Sequence, residues 1–251
     1  MPAQHNAEAP WPGLAAAAAA RGVLVGTDAL AQLITYRDLL AERSLQFNLT
    51  AIRDPEGIER RLMLDALSMI PALDAWLPAA EGRSPRAIDV GSGAGFPGLV
   101  LKIARPDLDV VLIDATGKKV RFLQEVIEAT GLRGISAVHG RAEELARDPS
   151  YRERFHLTTA RAVASLPVLL ELTTPFLDVG GVGLFPKSLD LDAELKHSAH
   201  AARVLGCRFA SSVLMPGEES RLVIVEKTTL TPRAYPRATG IPSQTPLGGA
   251  S

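Results

Sequence analysis

The sequence predicts an α/β fold: a mostly parallel sheet that ends in an antiparallel hairpin and is preceded by a cap of helices. From Ala87 onward, short apolar runs alternate with amphipathic runs, a pattern typical of strand–helix units in a parallel sheet. Near the other end, the strand-like runs 209–215 and 221–227 are separated only by the residues PGEES. Because so short a connection cannot cross over between parallel strands, these two runs are predicted to form a hairpin.

Composition limits the class of protein. The chain has 251 residues, of which 47% are hydrophobic and 22% charged, as expected for a globular protein with a substantial core. The net charge of −1 provides no overall basic field of the kind that marks many nucleic-acid-binding proteins. The single cysteine, Cys207, excludes an internal disulfide framework and fits a reducing compartment. No stretch approaches the ~18 apolar residues of a membrane span, so we expect a cytoplasmic protein without a membrane partner.

Four segments are expected along the chain. Residues 1–26 are rich in alanine and proline and are predicted to be a low-complexity, flexible N-terminus. Residues 27–84 are predicted to be the helical cap, residues 85–230 the main domain, and residues 231–251 a basic, proline-rich and irregular tail. EGRSPR, residues 81–86, is predicted to link the cap to the main domain.

The cap is predicted to contain two helices. The first begins at Thr27 as its N-cap, and its apolar face is formed by Leu30, Leu33, Ile34 and Leu40. The second runs from Pro55 through PEGIERRLMLDALSMIPAL and carries the basic pair Arg60 and Arg61. In the main domain, AIDV, DVVLID, ISAVHG, FHLTTARA and GVGLFPK are predicted strands. The predicted helices between them are FPGLVLKIA, KKVRFLQEVIEATG, RAEELA and LPVLLELTTPFL.

The glycine-rich turn after the first strand, DVGSGAGFPG, can be interpreted in two frames. Gly93, Gly95 and Gly98 match the dinucleotide pattern G-x-G-x-x-G, with Asp114 about 20 residues further on. Alternatively, Asp89 followed by Gly91, Gly93 and Gly95 resembles loops that bind a nucleoside cofactor such as S-adenosylmethionine. In both frames Asp114 would accept hydrogen bonds from ribose hydroxyls. The loop alone does not decide between these frames, and a purely structural glycine turn is a third interpretation.

Three features outside the loop favour the methyl donor. Asp89 lies in an otherwise apolar strand end, where burial of a carboxylate is costly unless it orders the loop or the ligand. A closing antiparallel hairpin is typical of methyltransferase sheets and unusual in nicotinamide-binding domains. After the third strand, Ala142 and Glu143 begin a helix whose backbone amides could bind an adenine edge.

The nature of the acceptor atom is narrowed by missing motifs. No Asn/Asp/Ser-Pro-Pro-aromatic tetrad follows the fourth strand, where methylation of an exocyclic amine usually requires one. Cys207 follows a glycine before an edge strand and is interpreted as structural rather than as a nucleophile. What remains is an acceptor with an available lone pair, such as guanine N7, for which alignment and desolvation suffice. Arg161, at the end of the fourth strand, could bind a carboxylate, a phosphate or a base edge.

Seven motifs in fixed order resemble one known family. FNLTAIRDP, RLMLDAL, DVGSGAGFPGLVLKI, GKKVRFL, GRAEEL, ARAVASL and YPRATGIPSQTPL are similar to the ribosomal RNA small-subunit methyltransferase G family, also called glucose-inhibited division protein B. The resemblance extends from about Leu30 to Leu247. It implies a Rossmann-like class I fold with a seven-stranded sheet and S-adenosylmethionine as methyl donor. It also implies methylation at N7 of a single guanine, guanine 527 of the 530 loop, in bacterial 16S ribosomal RNA.

The resemblance also implies site residues. Cofactor contacts are expected at Gly91, Gly93, Gly95, Phe96, Asp114, Ala142, Glu143 and Arg161. Arg141 and Arg161 are expected to be catalytic, and no metal is expected. We assign phosphate contacts to Arg60, Arg61, Lys118, Lys119, Arg121, Arg233 and Arg237. The expected partner is 16S ribosomal RNA or the 30S subunit, with no DNA, and the expected state is a monomer.

The chain departs from the family pattern in the second cap helix. Where the family usually has histidine and serine, this chain has Leu62 and Ala66, so two polar groups are missing near the expected RNA or cofactor face. A methyltransferase acting on a small molecule or a protein is the alternative enzyme. An adenosine-nucleotide-binding module for RNA assembly or regulation, without chemistry, is the non-enzymatic alternative.

Overall fold

A computed structural model describes residues 11–77, 84–161, 164–216 and 220–248. Its centre is a seven-stranded sheet in the order β3-β2-β1-β4-β5-β7-β6. The strands are β1 Arg86–Val90, β2 Asp109–Asp114, β3 Ile135–His139, β4 Phe155–Thr159, β5 Leu177–Lys187, β6 Cys207–Leu214 and β7 Arg221–Lys227. The strands β1 to β5 pair in parallel, whereas β7 is antiparallel to both β5 and β6. The predicted mostly parallel sheet with a closing hairpin is therefore confirmed.

Eleven α-helices are found in the described residues. They are α1 Leu14–Ala20, α2 Thr27–Ser44, α3 Pro55–Ile58, α4 Leu64–Leu67, α5 Ile70–Trp76, α6 Gly98–Ala104, α7 Gly117–Thr130, α8 Ala142–Leu145, α9 Leu166–Thr173, α10 Asp192–Val204 and α11 Ile241–Gln244. The α7 helix ends where Gly131 takes the left-handed conformation that glycine tolerates best. In the described ranges no helix has both the length and the apolar character needed to cross a membrane.

The first cap helix is present, but its buried face differs from the predicted one. Leu33, Tyr36 and Leu40 are fully buried at helical spacing, whereas Ile34 is 37% exposed. Compared with the prediction, the helix is therefore rotated about its axis, so that Tyr36, with its polar hydroxyl, faces the main domain. Thr27 is the first helical residue rather than the cap, because Gly26 occupies the cap position and no side chain bonds there.

The second predicted cap helix is divided. It consists of α3, a π-helical turn Glu59–Met63, α4 and, after a short turn, α5. Asp54 caps its start, since its carboxylate accepts a hydrogen bond of 2.6 Å from the Gly57 N–H. The π-helical turn contains Arg60 and Arg61, and such turns within α-helices are frequent at functional sites.

The N-terminus differs from the flexible extension that its composition suggests. Residues 1–10 lie outside the described residues, as do residues 78–83, which include the first half of the predicted linker. Leu14–Ala20, however, is a helix in which Leu14 and Ala18 are buried in the core. Alanine has the highest helix propensity, and the i, i+4 spacing of Leu14 and Ala18 provides one apolar stripe that packs on the cap.

The described part of the tail, residues 231–248, is irregular apart from the short helix α11, as predicted, but it is packed against the main domain. Arg237 pairs with the fully buried carboxylate of Glu171 on α9. The Arg152 guanidinium donates to the backbone oxygens of Thr231 at 2.7 Å and Tyr235 at 2.9 Å. These contacts satisfy backbone groups that would be exposed in a free tail, and they hold it against the main domain.

Candidate active site

The glycine loop between β1 and α6 is shaped by backbone conformations that favour glycine. Gly91, Gly93 and Gly95 have φ angles of 69°, 60° and 108°. The N–H groups of Gly91 and Ser92 both donate to the Ile113 carbonyl of β2, at 2.9 and 3.0 Å. The loop is therefore fastened to the carboxyl end of β2, which is the edge where ligands bind in open α/β sheets.

Asp89 lies beneath the loop and is only 1% exposed. Its carboxylate accepts hydrogen bonds from the Thr159 hydroxyl at 3.0 Å and from the Gly98 N–H at 3.2 Å. Burial raises the pKa of Asp89 to about 6 despite these hydrogen bonds. Asp89 is not among the residues that line the cleft described below. Its carboxylate therefore orders the loop by joining β1, β4 and the start of α6.

Asp114 ends β2 and faces the same loop. One carboxylate oxygen accepts the Gly93 N–H at 2.9 Å, and the other accepts the Thr116 N–H at 2.8 Å. The Lys119 ammonium is 3.8 Å from the first oxygen. A carboxylate has about four lone-pair sites, so Asp114 keeps acceptor capacity for two hydroxyl groups. This donor and acceptor set fits the ribose of a nucleoside cofactor.

An open cleft of about 440 Å³ lies above the glycine loop, and its size is in the range of ligand-binding sites. Its wall combines cap residues, loop residues, the end of β2, the start of α7 and the end of β4. The lining residues are Leu49, Thr50, Leu62, Gly91, Ser92, Gly93, Ala94, Phe96, Asp114, Lys119 and Arg161.

The lining favours the methyl-donor frame over the dinucleotide frame. Gly91 and Gly93 line the cleft, but Gly98 does not. A β-carbon on Gly98 would lie 2.5 Å from Leu112 and 2.7 Å from the Asp89 β-carbon, so this glycine is needed for helix–strand packing. Gly95, predicted to contact the cofactor, is also a packing position, since a β-carbon there would lie 2.4 Å from Leu99.

Tyr36 is a site residue that the sequence did not indicate. Its hydroxyl donates to the Ala94 carbonyl at 2.5 Å, and its ring stacks on Phe96 with the centroids 5.3 Å apart. Tyr36 thereby fixes the two loop residues that line the cleft next to the cap. The only available signal was its position three residues after Leu33 on the buried face of α2.

Arg161 reaches the cleft from the end of β4 and is held by the cap. Its guanidinium lies 3.1 Å from a carboxylate oxygen of Asp65 and donates to the Arg61 carbonyl at 3.1 Å. Sequence reasoning did not assign a role to Asp65, although it lies in the RLMLDAL motif. The two positions that depart from the family pattern lie in different surroundings, since Leu62 lines the cleft while Ala66 is buried in the core.

The other predicted site residues lie beside the cleft rather than in its lining. Gly140 donates to the Asp114 carbonyl at 3.1 Å, which places the start of the next segment against the end of β2. Arg141 is exposed immediately before α8, and Ala142 begins that helix. The Glu143 carboxylate accepts the Gly240 N–H of the tail at 3.0 Å, so its side chain is engaged with the tail.

The predicted phosphate-binding residues differ in how they are held. Arg60 pairs with Glu56 at 3.3 Å, and Lys118 lies 5.7 Å from the ring centre of Phe47. Arg61, Arg121 and Arg233 are exposed, and Lys119 lines the cleft. Arg237 instead makes bonds of 2.6 to 3.1 Å to the Glu171 carboxylate, an arrangement that gives it a structural partner.

The single cysteine lacks the features of a reactive thiolate. Cys207 is buried on the edge strand β6, and burial raises the pKa of its thiol. A protonated, buried thiol fits a structural role. Across the described ranges, no group of three or more histidine, cysteine, aspartate or glutamate residues is placed to hold a metal ion.

Comparison with known proteins identifies the family. The family model described as rRNA small subunit methyltransferase G matches residues 29–223. A Chloroflexus aggregans protein named Ribosomal RNA small subunit methyltransferase G is 44% identical over 229 residues, covering 90% of this chain and 93% of that protein. A protein of the same name from Dehalococcoides mccartyi is 40% identical, with 91% and 96% covered.

A solved structure supports the fold. A mutant of MtNAS in complex with S-adenosylmethionine has a TM-score of 0.55 at 15% identity, covering 82% of this chain and 77% of that one. At this identity the likeness concerns the fold alone. The sheet order and the closing hairpin are those of the class I methyltransferase fold. From the family match and the two relatives it follows that this chain belongs to the rRNA small subunit methyltransferase G family of S-adenosylmethionine-dependent enzymes.

Proposed function

We propose that this chain transfers the methyl group of S-adenosylmethionine to N7 of a single guanine, guanine 527 of the 530 loop, in bacterial 16S ribosomal RNA. The choice of N7 as the acceptor atom rests on which residues of the cleft lining can ionise. Only Asp114, Lys119 and Arg161 among its lining residues ionise. Asp114 accepts two backbone N–H groups and would use its remaining acceptor capacity for the ribose hydroxyls, and the other two are cations. The described lining thus lacks a base or a nucleophile, and guanine N7 needs neither because its lone pair is free.

The chain's own residues bind and orient the two reactants. Asp114 would accept hydrogen bonds from the ribose hydroxyls, and Gly91 and Gly93 let the backbone approach the cofactor. Phe96 and Leu62 form apolar parts of the wall, which would exclude water once both reactants fill the cleft. When bound, the cofactor supplies a methyl carbon that bonds to N7 as its bond to sulfur breaks. These residues contribute alignment and desolvation, which can supply much of the rate for such a displacement.

Arg161 would orient the guanine. An arginine guanidinium is the usual partner of the guanine O6 and N7 edge, and with N7 facing the methyl group the O6 atom remains available as an acceptor. Methylation at N7 leaves a positive charge on the base. Because Asp65 lies 3.1 Å from the Arg161 guanidinium, that charge develops beside an ion pair instead of an isolated cation. Arg141, at the start of α8, is proposed as the second catalytic arginine, and the amides of Ala142 and Glu143 as the adenine contacts.

Basic residues around the cleft are proposed to bind the RNA backbone. Lys118, Lys119 and Arg121 follow the ribose-binding strand end on α7, and Arg60 and Arg61 lie on the cap. Arg233 is the exposed basic residue of the tail. Since such contacts release counterions, RNA binding should weaken steeply with salt. We further propose that the protein acts in the cytoplasm as a monomer.

The test is methyl transfer to small-subunit RNA that lacks the modification, both as naked RNA and as 30S subunits. With labelled donor, one methyl group per RNA should appear as N7-methylguanosine at a single site. Arg161→Gln should abolish transfer while the protein remains folded. Arg133→Gln, an exposed arginine beyond α7, is the matched control and should transfer normally. Label on another atom, or no transfer to either RNA by a protein that binds the cofactor, would refute the proposal.

A further inference from the structure

A second cavity lies in the cap, directly behind the wall of the active-site cleft. Its volume is about 510 Å³. It is lined by Trp11, Arg21, Ala51, Ile52, Asp54, Glu56, Gly57, Arg60, Arg61 and Leu64. Arg60 and Arg61 are proposed above as general phosphate contacts, but nothing above assigns a particular nucleotide to this cavity or gives Trp11 and Arg21 a ligand.

The two cavities share their walls residue by residue. In the loop before α3, Leu49 and Thr50 line the cleft, and the next two residues, Ala51 and Ile52, line the second cavity. In the π-helical turn, Leu62 lines the cleft while its neighbour Arg61 lines the second cavity. The Arg61 carbonyl also accepts the hydrogen bond from Arg161. The same two segments therefore border both cavities, which makes the second cavity the neighbour of the cleft.

The charge of the second cavity favours an anion. Of its two acidic side chains, Asp54 caps the Gly57 N–H and Glu56 pairs with Arg60. Within the described ranges, Arg21 and Arg61 pair with no carboxylate, and Arg21 donates only to the Ser68 hydroxyl, at 2.8 Å. Two arginines without carboxylate partners, at the edge of a polar cavity, are suited to a phosphate group.

Trp11 adds an aromatic surface to the same cavity. Its indole N–H donates to a Glu59 carboxylate oxygen at 2.9 Å, which holds the ring in position. The Arg60 guanidinium lies 5.5 Å from the ring centre. An indole and an arginine plane beside phosphate-binding arginines is the combination that binds single-stranded nucleotides, through stacking of the base and pairing of the phosphate.

We propose that this second cavity binds the nucleotide adjacent to the acceptor guanine, with its base on Trp11 and its phosphate at Arg21 and Arg61. The inference rests on the proposed function, because it takes the acceptor to be an RNA. It extends that function by making recognition depend on two consecutive, unstacked nucleotides. Duplex RNA would be excluded, since its bases are not available for stacking on a side chain.

The test measures how tightly full-length variants bind the RNA or the subunit that accepts the label, in the presence of a non-reactive cofactor analogue. Trp11→Leu should weaken binding about 5- to 150-fold, the range for loss of one stacked base, with no change in salt dependence. Trp11→Phe keeps an aromatic ring and loses the N–H bond to Glu59, so it should bind nearly as the parent does. Arg61→Gln should reduce the slope of log affinity against log salt by about 0.7. Arg133→Gln is the matched control and should leave affinity and slope unchanged.

A double-mutant cycle then locates the base. An abasic nucleotide next to the acceptor guanine, on one side, should remove the effect of Trp11→Leu, because the stacking partner is gone. Additive effects at both flanking positions, or unchanged RNA binding by Trp11→Leu and Arg61→Gln, would overturn the inference. Weakened binding to 30S subunits without weakened binding to naked RNA would also overturn it, because the partner would then be a protein. Lack of methyl transfer by the parent protein would refute the proposed function instead, a result obtained before any variant is made.

Discussion

The contact between Arg237 and Glu171 allows the sharpest test of how the tail is held. The Glu171 carboxylate is fully buried and accepts bonds from the Arg237 backbone N–H at 2.8 Å, from Nε at 2.9 and 3.1 Å, and from a terminal nitrogen at 2.6 Å. Arg237→Met keeps the backbone N–H and much of the apolar stem but removes the cation. Removing one partner of a buried ion pair costs about 3–5 kcal/mol, because the remaining charge is left unpaired.

Urea unfolding at pH 7 measures this loss. Arg237→Met should lower the free energy of unfolding by about 3–5 kcal/mol. The exposed tail residue Arg233 provides the control, since Arg233→Met should change it by less than about 0.5 kcal/mol. The double variant Glu171→Leu with Arg237→Met should recover much of the loss, because no unpaired charge remains. A loss below about 1 kcal/mol for Arg237→Met would refute the reasoning.

The same variant separates a structural role for Arg237 from a phosphate contact. A phosphate contact to single-stranded RNA contributes about 0.7 to the slope of log affinity against log salt. If Arg237 serves to hold the tail, Arg237→Met should leave that slope unchanged at a temperature where the variant is folded. A slope reduced by this amount would show that Arg237 binds phosphate in addition to Glu171.

Three further predictions concern the glycine loop and its carboxylates. Burial raises the pKa of Asp89 to about 6, so ionisation of this carboxyl weakens the folded state. The free energy of unfolding of the parent relative to Asp89→Asn should be greatest below about pH 4 and should fall by up to about 3 kcal/mol as the pH rises past 6. A pH-independent difference between the two in urea unfolding would contradict this. Gly98→Ala should lower the free energy of unfolding by about 1–3 kcal/mol, because its β-carbon would lie 2.5 Å from Leu112. Gly131→Ala, which has open space and a φ of +64°, should lower it by about 1 kcal/mol. A larger loss for Gly131→Ala than for Gly98→Ala in thermal unfolding would contradict the packing role of Gly98. Asp114→Asn should weaken S-adenosylmethionine binding about 10- to 150-fold in calorimetry, since charge-assisted bonds to hydroxyls are lost, and a change below about twofold would contradict the ribose assignment.

The elements that were predictable from the sequence are those specified by local patterns. The closing hairpin follows from two apolar runs joined by PGEES, and β1 and β2 follow from AIDV and DVVLID. The methyl-donor frame was favoured by features outside the loop, and the structure supports it through Gly98, whose packing against Leu112 leaves no room for a side chain.

The contacts that were missed are tertiary, so no local pattern encodes them. The hydroxyl of Tyr36 meets Ala94, and Asp65 meets Arg161, only after the cap has docked on the main domain. The alanine-rich Leu14–Ala20 segment shows a related difficulty. Its composition is compatible with disorder and with helix, and only the burial of Leu14 and Ala18 against the cap decides for helix.

The cap belongs to the active site as much as the sheet does. It supplies the Tyr36 bond to the glycine loop, the apolar wall at Leu62 and the Asp65 carboxylate beside Arg161. Because those three contacts act on the loop, the wall and the guanidinium respectively, the methyltransferase domain without its cap would lack three contacts that shape the cleft. This also explains how the chain tolerates the departures at Leu62 and Ala66. A histidine at the first position would need a polar partner in the cleft wall, and a serine at the second would need one in the core, where Ala66 is only 1% exposed. Apolar residues require neither, so under the proposed function the Asp65–Arg161 pair would orient the guanine.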